Sequence, residues 1–179
     1  VRVLFMIPLN RIDGRRWVHA NLVVGKDGST IFNGNSQKLS SAVDRKRFHQ
    51  IREGADVIVI GRNTAENEPY SKTPKPLIIL SSTLETFEKN PEAVIWNKPL
   101  KDVLADAEME FGSQILLEAG TRLLKSFMEE DLLDGIYLTL SPVKGGEQRI
   151  VWQKFFKNFT IMESFEHGEE TFLLLQREA

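Results

Sequence analysis

Short, uninterrupted apolar runs recur through the first two thirds of the chain. Residues 56–60, Leu77–Leu80 and Gln114–Leu117 are apolar at nearly every position. Such runs are typical of parallel strands that are covered on both faces of a sheet. Residues 18–24 and Gly135–Leu140 are similarly rich in β-branched and apolar side chains, so they also predict strands.

Amphipathic segments separate several of these runs, and residues 93–96 predict one further short strand. Helices are predicted over three stretches: residues 40–52, 100–111 and 121–130. Ser41 is followed three residues later by Asp44, an arrangement that resembles a capping box at a helix start. Gly54 stands where a helix of this length is expected to end.

The C-terminal third changes character. Residues 160–165 and 171–176 predict two strands, and residues 166–169 between them predict a hairpin turn. Parallel β-α-β units therefore come first and antiparallel strands come last. This order predicts a single α/β domain over residues 1–179, with one mixed sheet and helices on its faces. We interpret the apolar residues 1–9 as an N-terminal strand or arm and expect no targeting role for them.

Composition excludes several classes of function. The chain has 179 residues, a net charge of -2 and no cysteine, which rules out disulfides, thiolate catalysis and cysteine-ligated metals. His19, His49 and His167 lack the spacing of metal ligands, so we predict no metal site. Acidic and basic residues are mixed along the chain, and no run is long enough to span a bilayer. We therefore expect a cytoplasmic protein without nucleic-acid or membrane partners.

Three predicted turns directly follow apolar strands, at residues 61–64, 81–83 and 118–122. Ligands of open α/β sheets lie outside the carboxyl ends of the strands, and glycines and helix starts at that edge favour phosphate binding. Arg62, Lys72 and the Ser81 and Ser82 hydroxyls suit a further phosphate. The candidate cofactor-binding residues are Gly61, Arg62, Thr64, Ser81, Ser82, Glu118, Ala119, Gly120, Thr121 and Arg122. Each turn alone is also compatible with a purely structural role.

Two further loops contain charged residues. Asp27 and Gly28 follow the first predicted strand; the pair is typical of a turn, but the carboxylate can also orient a polar ring or a ribose hydroxyl. Lys144 and Arg149 flank two glycines in a segment that suits either a sugar phosphate or a solvated turn.

Several segments, taken in order, resemble a known family. Residues 25–28 match its Ser-x-Asp-Gly turn, Leu39 and Ser40 its helix start, and residues 55–64 its Ala-Asp, apolar strand and Gly-x-x-Thr. Residues 115–146 are similar to its strand, Glu-Gly-Gly, helix and Ser-Pro turn. The family is the reductase of riboflavin biosynthesis, which occurs as the C-terminal domain of a bifunctional deaminase–reductase and as stand-alone relatives. The resemblance runs from about Trp17 to Arg149.

The resemblance implies a three-layer, dihydrofolate-reductase-like fold, a homodimer and NADPH as cofactor. It implies reduction of 5-amino-6-(5-phosphoribosylamino)uracil, or its diamino-pyrimidinone equivalent, by hydride transfer to the C1' of an imine. Asn21 and Asp27 are expected to act in catalysis and, together with Ser40 and Arg149, to face the substrate. The turns after the strands are expected to hold the cofactor.

The chain departs from the family pattern at three places. Gly25 replaces a serine, Asn21 stands where bifunctional members carry lysine, and Ala119 replaces the first glycine of Glu-Gly-Gly. These departures keep two alternatives open: reduction of dihydrofolate or another pterin, and a non-catalytic NADP-binding relative. No cysteine is present to complete the metal-ligand set of a zinc deaminase, so we predict no deaminase site in this sequence.

Overall fold

A computed structural model describes residues 15–178 as one eight-stranded sheet with five helices. The strands are β1 Trp17–Val24, β2 Val57–Gly61, β3 Leu77–Leu80, β4 Val94–Trp96, β5 Gln114–Leu117, β6 Gly135–Leu140, β7 Phe159–His167 and β8 Glu170–Arg177. The helices are α1 Ala42–Gly54, α2 Arg62–Asn67, α3 Leu100–Glu110, α4 Thr121–Glu129 and α5 Trp152–Phe155. The predicted N-terminal strand or arm at residues 1–9 lies outside the described residues.

The sheet is mixed, in the order β4-β3-β2-β5-β1-β6-β8-β7. The first six strands along the chain pair in parallel, and β8 runs antiparallel to both β6 and β7. Within residues 15–178, every predicted strand is present, and the parallel strands come first and the antiparallel strands last, as predicted. The architecture confirms the predicted α/β fold with a mostly parallel sheet and a C-terminal antiparallel hairpin.

Side chains alternate between two apolar layers because successive residues of a strand face opposite sides of the sheet. On β1, Val18, Ala20 and Leu22 join a cluster with α3 and α4. The opposite face of the sheet packs with α1, whose Ile51 contacts a second cluster that includes Tyr137 of β6. Helices thus cover both faces, which gives the three layers that the resemblance implies.

The predicted start of α1 is confirmed at Ser41, whose hydroxyl accepts from the amides of Val43 and Asp44 at 3.1 and 3.0 Å. The capping box is incomplete, because the Asp44 carboxylate bonds instead to the hydroxyls of Ser40 and Thr139. Tertiary contacts therefore override the local capping pattern at this residue.

Two helices were not predicted from the sequence, α2 and α5. They have only six and four residues, which are mostly polar or mixed, so they carry no readable helical period. Within the described part of the chain, no helix has the length and apolar character needed to cross a membrane.

His19 on β1 is buried between two aromatic rings. Its imidazole stacks on Trp17 with centroids 5.5 Å apart and lies 5.4 Å from the ring of Tyr137. Gly135 on β6 makes room for it, since a Cβ there would lie 2.7 Å from His19 Cδ2. Burial lowers the pKa of His19 from 6.5 to about 4. The imidazole is therefore neutral in the folded protein at physiological pH.

We expect His19 to make the fold acid-sensitive. The unfolded chain takes up a proton at His19 near pH 6.5, whereas the folded chain takes it up only near pH 4. Stability is therefore complete above pH 6.5 and falls between pH 6.5 and 4, by about 2 kcal/mol at pH 5. Urea unfolding of wild type and His19→Gln at pH 7.5 and pH 5 measures this loss. His19→Gln should lose less stability on acidification, whereas His167→Gln, at an exposed site, should behave as wild type does. Equal losses in wild type and His19→Gln would show that His19 is not the sensor.

Candidate functional site

The turns that follow β2, β3 and β5 lie at one edge of the sheet. The three strands are adjacent and parallel, so their carboxyl ends point the same way. Gly61 and Leu80, the last residues of β2 and β3, are paired in register. Thr64, Ser81 and Gly120 follow the three strand ends within a few residues. The sequence places these candidates in separate segments, and the fold brings the segments together along one rim.

Gly120 lies at the start of α4 and is exposed. A Cβ at Gly120 would meet no atom within 4 Å, and no side chain caps the first turn of the helix. Leu123 of α4 lies against the end of β2, only 3.2 Å from where a Cβ of Gly61 would be. The free N–H groups of α4 and the helix dipole therefore favour an anion beside Gly120.

The other two residues of this turn point away from the open rim. The Ala119 methyl is buried in the apolar cluster that includes Leu124 and Phe127 of α4. Its φ is not positive, so alanine adopts this backbone without strain. The replacement of the family's glycine by Ala119 thus leaves the space beside Gly120 open. The Glu118 side chain is buried on the opposite face of the sheet.

The turn after β3 is joined to α2 through an exposed arginine. Arg62 donates to Glu66 Oε1 and to Thr83 Oγ1, each at 2.7 Å. Ser81 Oγ accepts from the amides of Thr83 and Leu84, which fixes the turn and leaves its own proton for another acceptor. Arg62 and Ser81 therefore offer donors on the same side of the rim.

The remaining cofactor candidates are half-buried or exposed, and residues 15–178 offer their side chains no hydrogen bond or ion pair. They are Thr64, Ser82, Thr121 and Arg122, together with Lys72. In the same range, no group of three or more histidine or acidic side chains is arranged to hold a metal ion.

Asp27 joins two loops. One carboxylate oxygen accepts from the Ser29 hydroxyl at 2.7 Å, and the other accepts from the Gly145 amide at 2.8 Å and from Arg149 at 3.1 Å. The Gly145 amide, followed by the Ser29 hydroxyl, holds the pKa of Asp27 well below its ordinary value. Asp27 is thus a carboxylate at neutral pH and acts as an acceptor rather than a proton donor.

Backbone bonds reinforce the junction that Asp27 makes. The Lys26 amide donates to Val143 O at 2.7 Å, and the Ile150 amide donates to Gly28 O at 2.9 Å. Gly28 has a φ of +84°, and a Cβ there would lie 2.2 Å from the Ile150 carbonyl oxygen. Only glycine fits at this position, because both the backbone angle and the close approach exclude a side chain.

The other two substrate candidates lie apart from this junction. Asn21 is half-buried on β1, in register with Tyr137 of β6 and on the face that α1 covers. Ser40 donates to Asp44 at 2.5 Å, and Thr139 donates to the same carboxylate at 2.6 Å. The four predicted substrate residues therefore divide into two sets. Asp27 and Arg149 are bonded to each other on the loops, whereas Asn21 and Ser40 lie separately beside α1.

Sequence reasoning missed the residues that bind Glu118. Arg52 of α1 donates from Nε and Nη2 to the two Glu118 oxygens at 2.7 and 2.6 Å, and the Tyr70 hydroxyl also donates to Glu118. A charged residue beside Ile51 on the buried side of a helix was the available signal, since a buried guanidinium requires a partner. The sequence contained no indication that the partner was Glu118.

The family model described as the RibD C-terminal domain matches residues 16–173. The chain belongs to the RibD C-terminal domain family. The match confirms the resemblance found in the sequence. A comparison with curated protein sequences finds no significant match.

Solved structures support the fold of this RibD C-terminal domain. RibD from Acinetobacter baumannii is 17% identical with a TM-score of 0.74; the match covers 93% of this chain and 59% of that protein. A pyrimidine reductase-like protein from Corynebacterium diphtheriae is 16% identical with a TM-score of 0.75, and 92% of each chain is covered. Dihydrofolate reductase from Enterococcus faecalis, complexed with NADP(H) and RAB-propyl, is 15% identical with a TM-score of 0.69, covering 91% of this chain and 97% of that one. These likenesses confirm the predicted dihydrofolate-reductase-like fold.

Proposed function

We propose that this chain is an NADPH-dependent reductase of riboflavin biosynthesis. The observation that carries the proposal is the shared rim, where the turns after β2, β3 and β5 meet beside an uncapped helix start. Family membership supports the pathway, and the Enterococcus faecalis structure supports a nicotinamide cofactor on this fold. The proposed substrate is 5-amino-6-(5-phosphoribosylamino)uracil or its diamino-pyrimidinone equivalent.

The residues of the rim fit a dinucleotide phosphate. Gly120 leaves room for the backbone to approach a pyrophosphate, and Thr121 begins the helix beside it. The guanidinium groups of Arg62 and Arg122 are exposed, and Ser81 has a hydroxyl proton to donate. We assign these residues to the cofactor, with the Arg62 and Ser81 side meeting a 2'-phosphate.

The proposed reaction adds a hydride to C1' and a proton to the nitrogen of the imine formed when the ribosylamine opens, which gives the ribitylamine. When bound, NADPH supplies the hydride from nicotinamide C4. The chain's contribution is then mainly placement of the two reactants. Asp27 does not supply the proton, because its carboxyl is already ionised at neutral pH. We assign Asp27 to holding Arg149 and the loop after β6 in place.

The substrate side is proposed from the residues at and beside the carboxyl end of β1. Asn21 offers an uncharged amide to the pyrimidine or to the ribosyl chain. Arg149 uses only part of its guanidinium on Asp27 and is otherwise exposed, so it suits the substrate phosphate. Ser40, just before α1, is the last residue that we propose to face the substrate.

The proposal is tested by product formation. Purified protein, NADPH and the phosphoribosylaminopyrimidine should yield a product two mass units heavier than the substrate, with loss of absorbance at 340 nm. Dihydrofolate is the competing substrate, because the Enterococcus faecalis enzyme shares the fold. If the protein reduces dihydrofolate but not the phosphoribosylaminopyrimidine, the proposed substrate is wrong and the substrate is a pterin. If the protein binds NADPH but neither compound oxidises it, the remaining interpretation is a non-catalytic NADP-binding relative.

Gly120→Asp tests the cofactor assignment. Asp is a good N-cap residue and Gly120 already has the extended N-cap conformation, so the melting temperature should stay equal or rise. NADPH affinity should nevertheless fall at least about 10-fold, because a carboxylate would face the phosphates. Fluorescence titration with NADPH measures the change.

Gly120→Asn is the matched control for this variant. Asn has nearly the same size and is also a good N-cap residue, but it carries no charge. We expect its affinity to lie much closer to that of wild type than to that of Gly120→Asp. Equal, wild-type affinity in both variants would place the phosphates elsewhere.

We also propose that the protein is a cytoplasmic homodimer, as the resemblance implies. The outermost strand β7 supports an interface there, because its Ile161 and Met162 are 48% and 55% exposed. Sedimentation velocity should show a dimer that Met162→Glu dissociates. Met109→Glu on α3, at another exposed methionine, should leave it intact. A monomeric wild type at micromolar concentration would disprove this assembly.

A further inference from the structure

A buried network connects the last turn of α1 to three connecting segments, one of which, the turn after β5, belongs to the rim. Arg52, Tyr70 and Glu118 are 7%, 5% and 5% exposed, and Arg52 and Tyr70 both donate to the Glu118 carboxylate. Arg52 comes from the last turn of α1, Tyr70 from the segment after α2 and Glu118 from the turn between β5 and α4. The Tyr70 carbonyl accepts from Asn90 Nδ2 at 3.3 Å, which brings in the segment after β3.

Glu118 is positioned to control the shape of the turn. Its amide still belongs to the sheet, since it donates to Val59 O at 2.9 Å. Its side chain is anchored on one face by Arg52, and the methyl of Ala119 is anchored on the other face among apolar residues. Gly120 is the next residue and the first to be exposed. The two anchors therefore determine where Gly120 and the start of α4 lie.

The network also determines the charge below the rim. Desolvation opposes the charged form of Arg52, but its hydrogen bonds and its attraction to Glu118 outweigh that effect and raise its pKa. Burial, followed by the nearby Glu118 charge, raises the pKa of Tyr70 well above its ordinary value, so the phenol stays a neutral donor. Arg52 therefore cancels the Glu118 charge. Without Arg52, that carboxylate would oppose an anion bound two residues away.

A buried ion pair of this kind contributes little net stability, because desolvating both charges offsets most of their attraction. We propose that Arg52 and Tyr70 are positioning residues. Acting through Glu118, they hold the turn at residues 118–120 and neutralise its buried charge, so that the turn can accept the cofactor phosphates. This inference rests on the proposed function.

Tyr70→Phe is the mild test, because it removes one hydroxyl and keeps the ion pair. We expect the NADPH dissociation constant to rise about 5-fold, less than the full effect of losing a hydrogen bond to a charged group, because Arg52 still holds the Glu118 carboxylate. Tyr137→Phe is the matched control. It makes the same change at another buried tyrosine, on the face of the sheet that α1 covers, whose hydroxyl does not donate to Glu118. The control should bind NADPH as wild type does. Urea unfolding reports the stability of each variant separately from its affinity.

A charge cycle tests the second part of the inference. Arg52→Gln removes the cation that pairs with the Glu118 carboxylate and should weaken NADPH binding by about 10-fold or more. Glu118→Gln added to Arg52→Gln removes that carboxylate and should recover most of the affinity. A merely structural role for the pair would give no such recovery, since the double variant retains neither ionic hydrogen bond.

The outcomes separate the inference from the proposed function. A wild-type protein that fails to bind NADPH overturns both. If wild type, folded Tyr70→Phe and folded Arg52→Gln all bind NADPH with equal affinity, only the positioning role is overturned. Weakened binding in Arg52→Gln without recovery in the double variant overturns the charge-cancelling part.

Discussion

The parallel pairing of β2 between β3 and β5 is the constraint on which the candidate site depends. Parallel strands send their carboxyl ends to one edge, so three turns that lie far apart in sequence become neighbours. The strands are short and apolar at nearly every position, so burial on both faces maintains this pairing. A different strand order would leave the same glycines and hydroxyls on separate surfaces, and no dinucleotide could span them.

The second feature of the fold is the polar inner side of α1. Arg47 donates to the Leu173 carbonyl at 2.9 Å and packs over the rings of Tyr137 and Phe172, and burial lowers its pKa to about 10. Arg52 bonds to Glu118 from the last turn of the helix. Apolar contacts tolerate small shifts, whereas these directional bonds do not, because a displaced donor leaves a buried charge unpaired. These bonds to β8 and to the residue after β5 therefore fix the position of α1 along the sheet.

The sequence predicted the fold well because each apolar run, and the succession of strands and helices along the chain, can be read from local patterns. Every strand from β1 to β8 was found, as were the cap at Ser41 and the edge that carries Gly120. Two features depended on tertiary contacts that no local pattern shows. Asp44 matched a capping box but bonds to Thr139, a residue distant in sequence. Glu118 stood in a cofactor motif, but its side chain turns inward to Arg52. These polar pairings form only once the sheet has assembled.

The departures from the family pattern fall unequally on the two halves of the proposed site. Ala119 changes the cofactor turn by one methyl, and that methyl is buried in the core, so the rim beside Gly120 is unaltered. Asn21 stands where bifunctional members carry a lysine, so it places a neutral amide in place of a cation at a half-buried position on β1. The physical difference between this chain and bifunctional members of the family is therefore concentrated beside β1. Under the proposed function, cofactor binding is therefore expected to follow the family, whereas the proposed contact of Asn21 with the substrate differs from the family's.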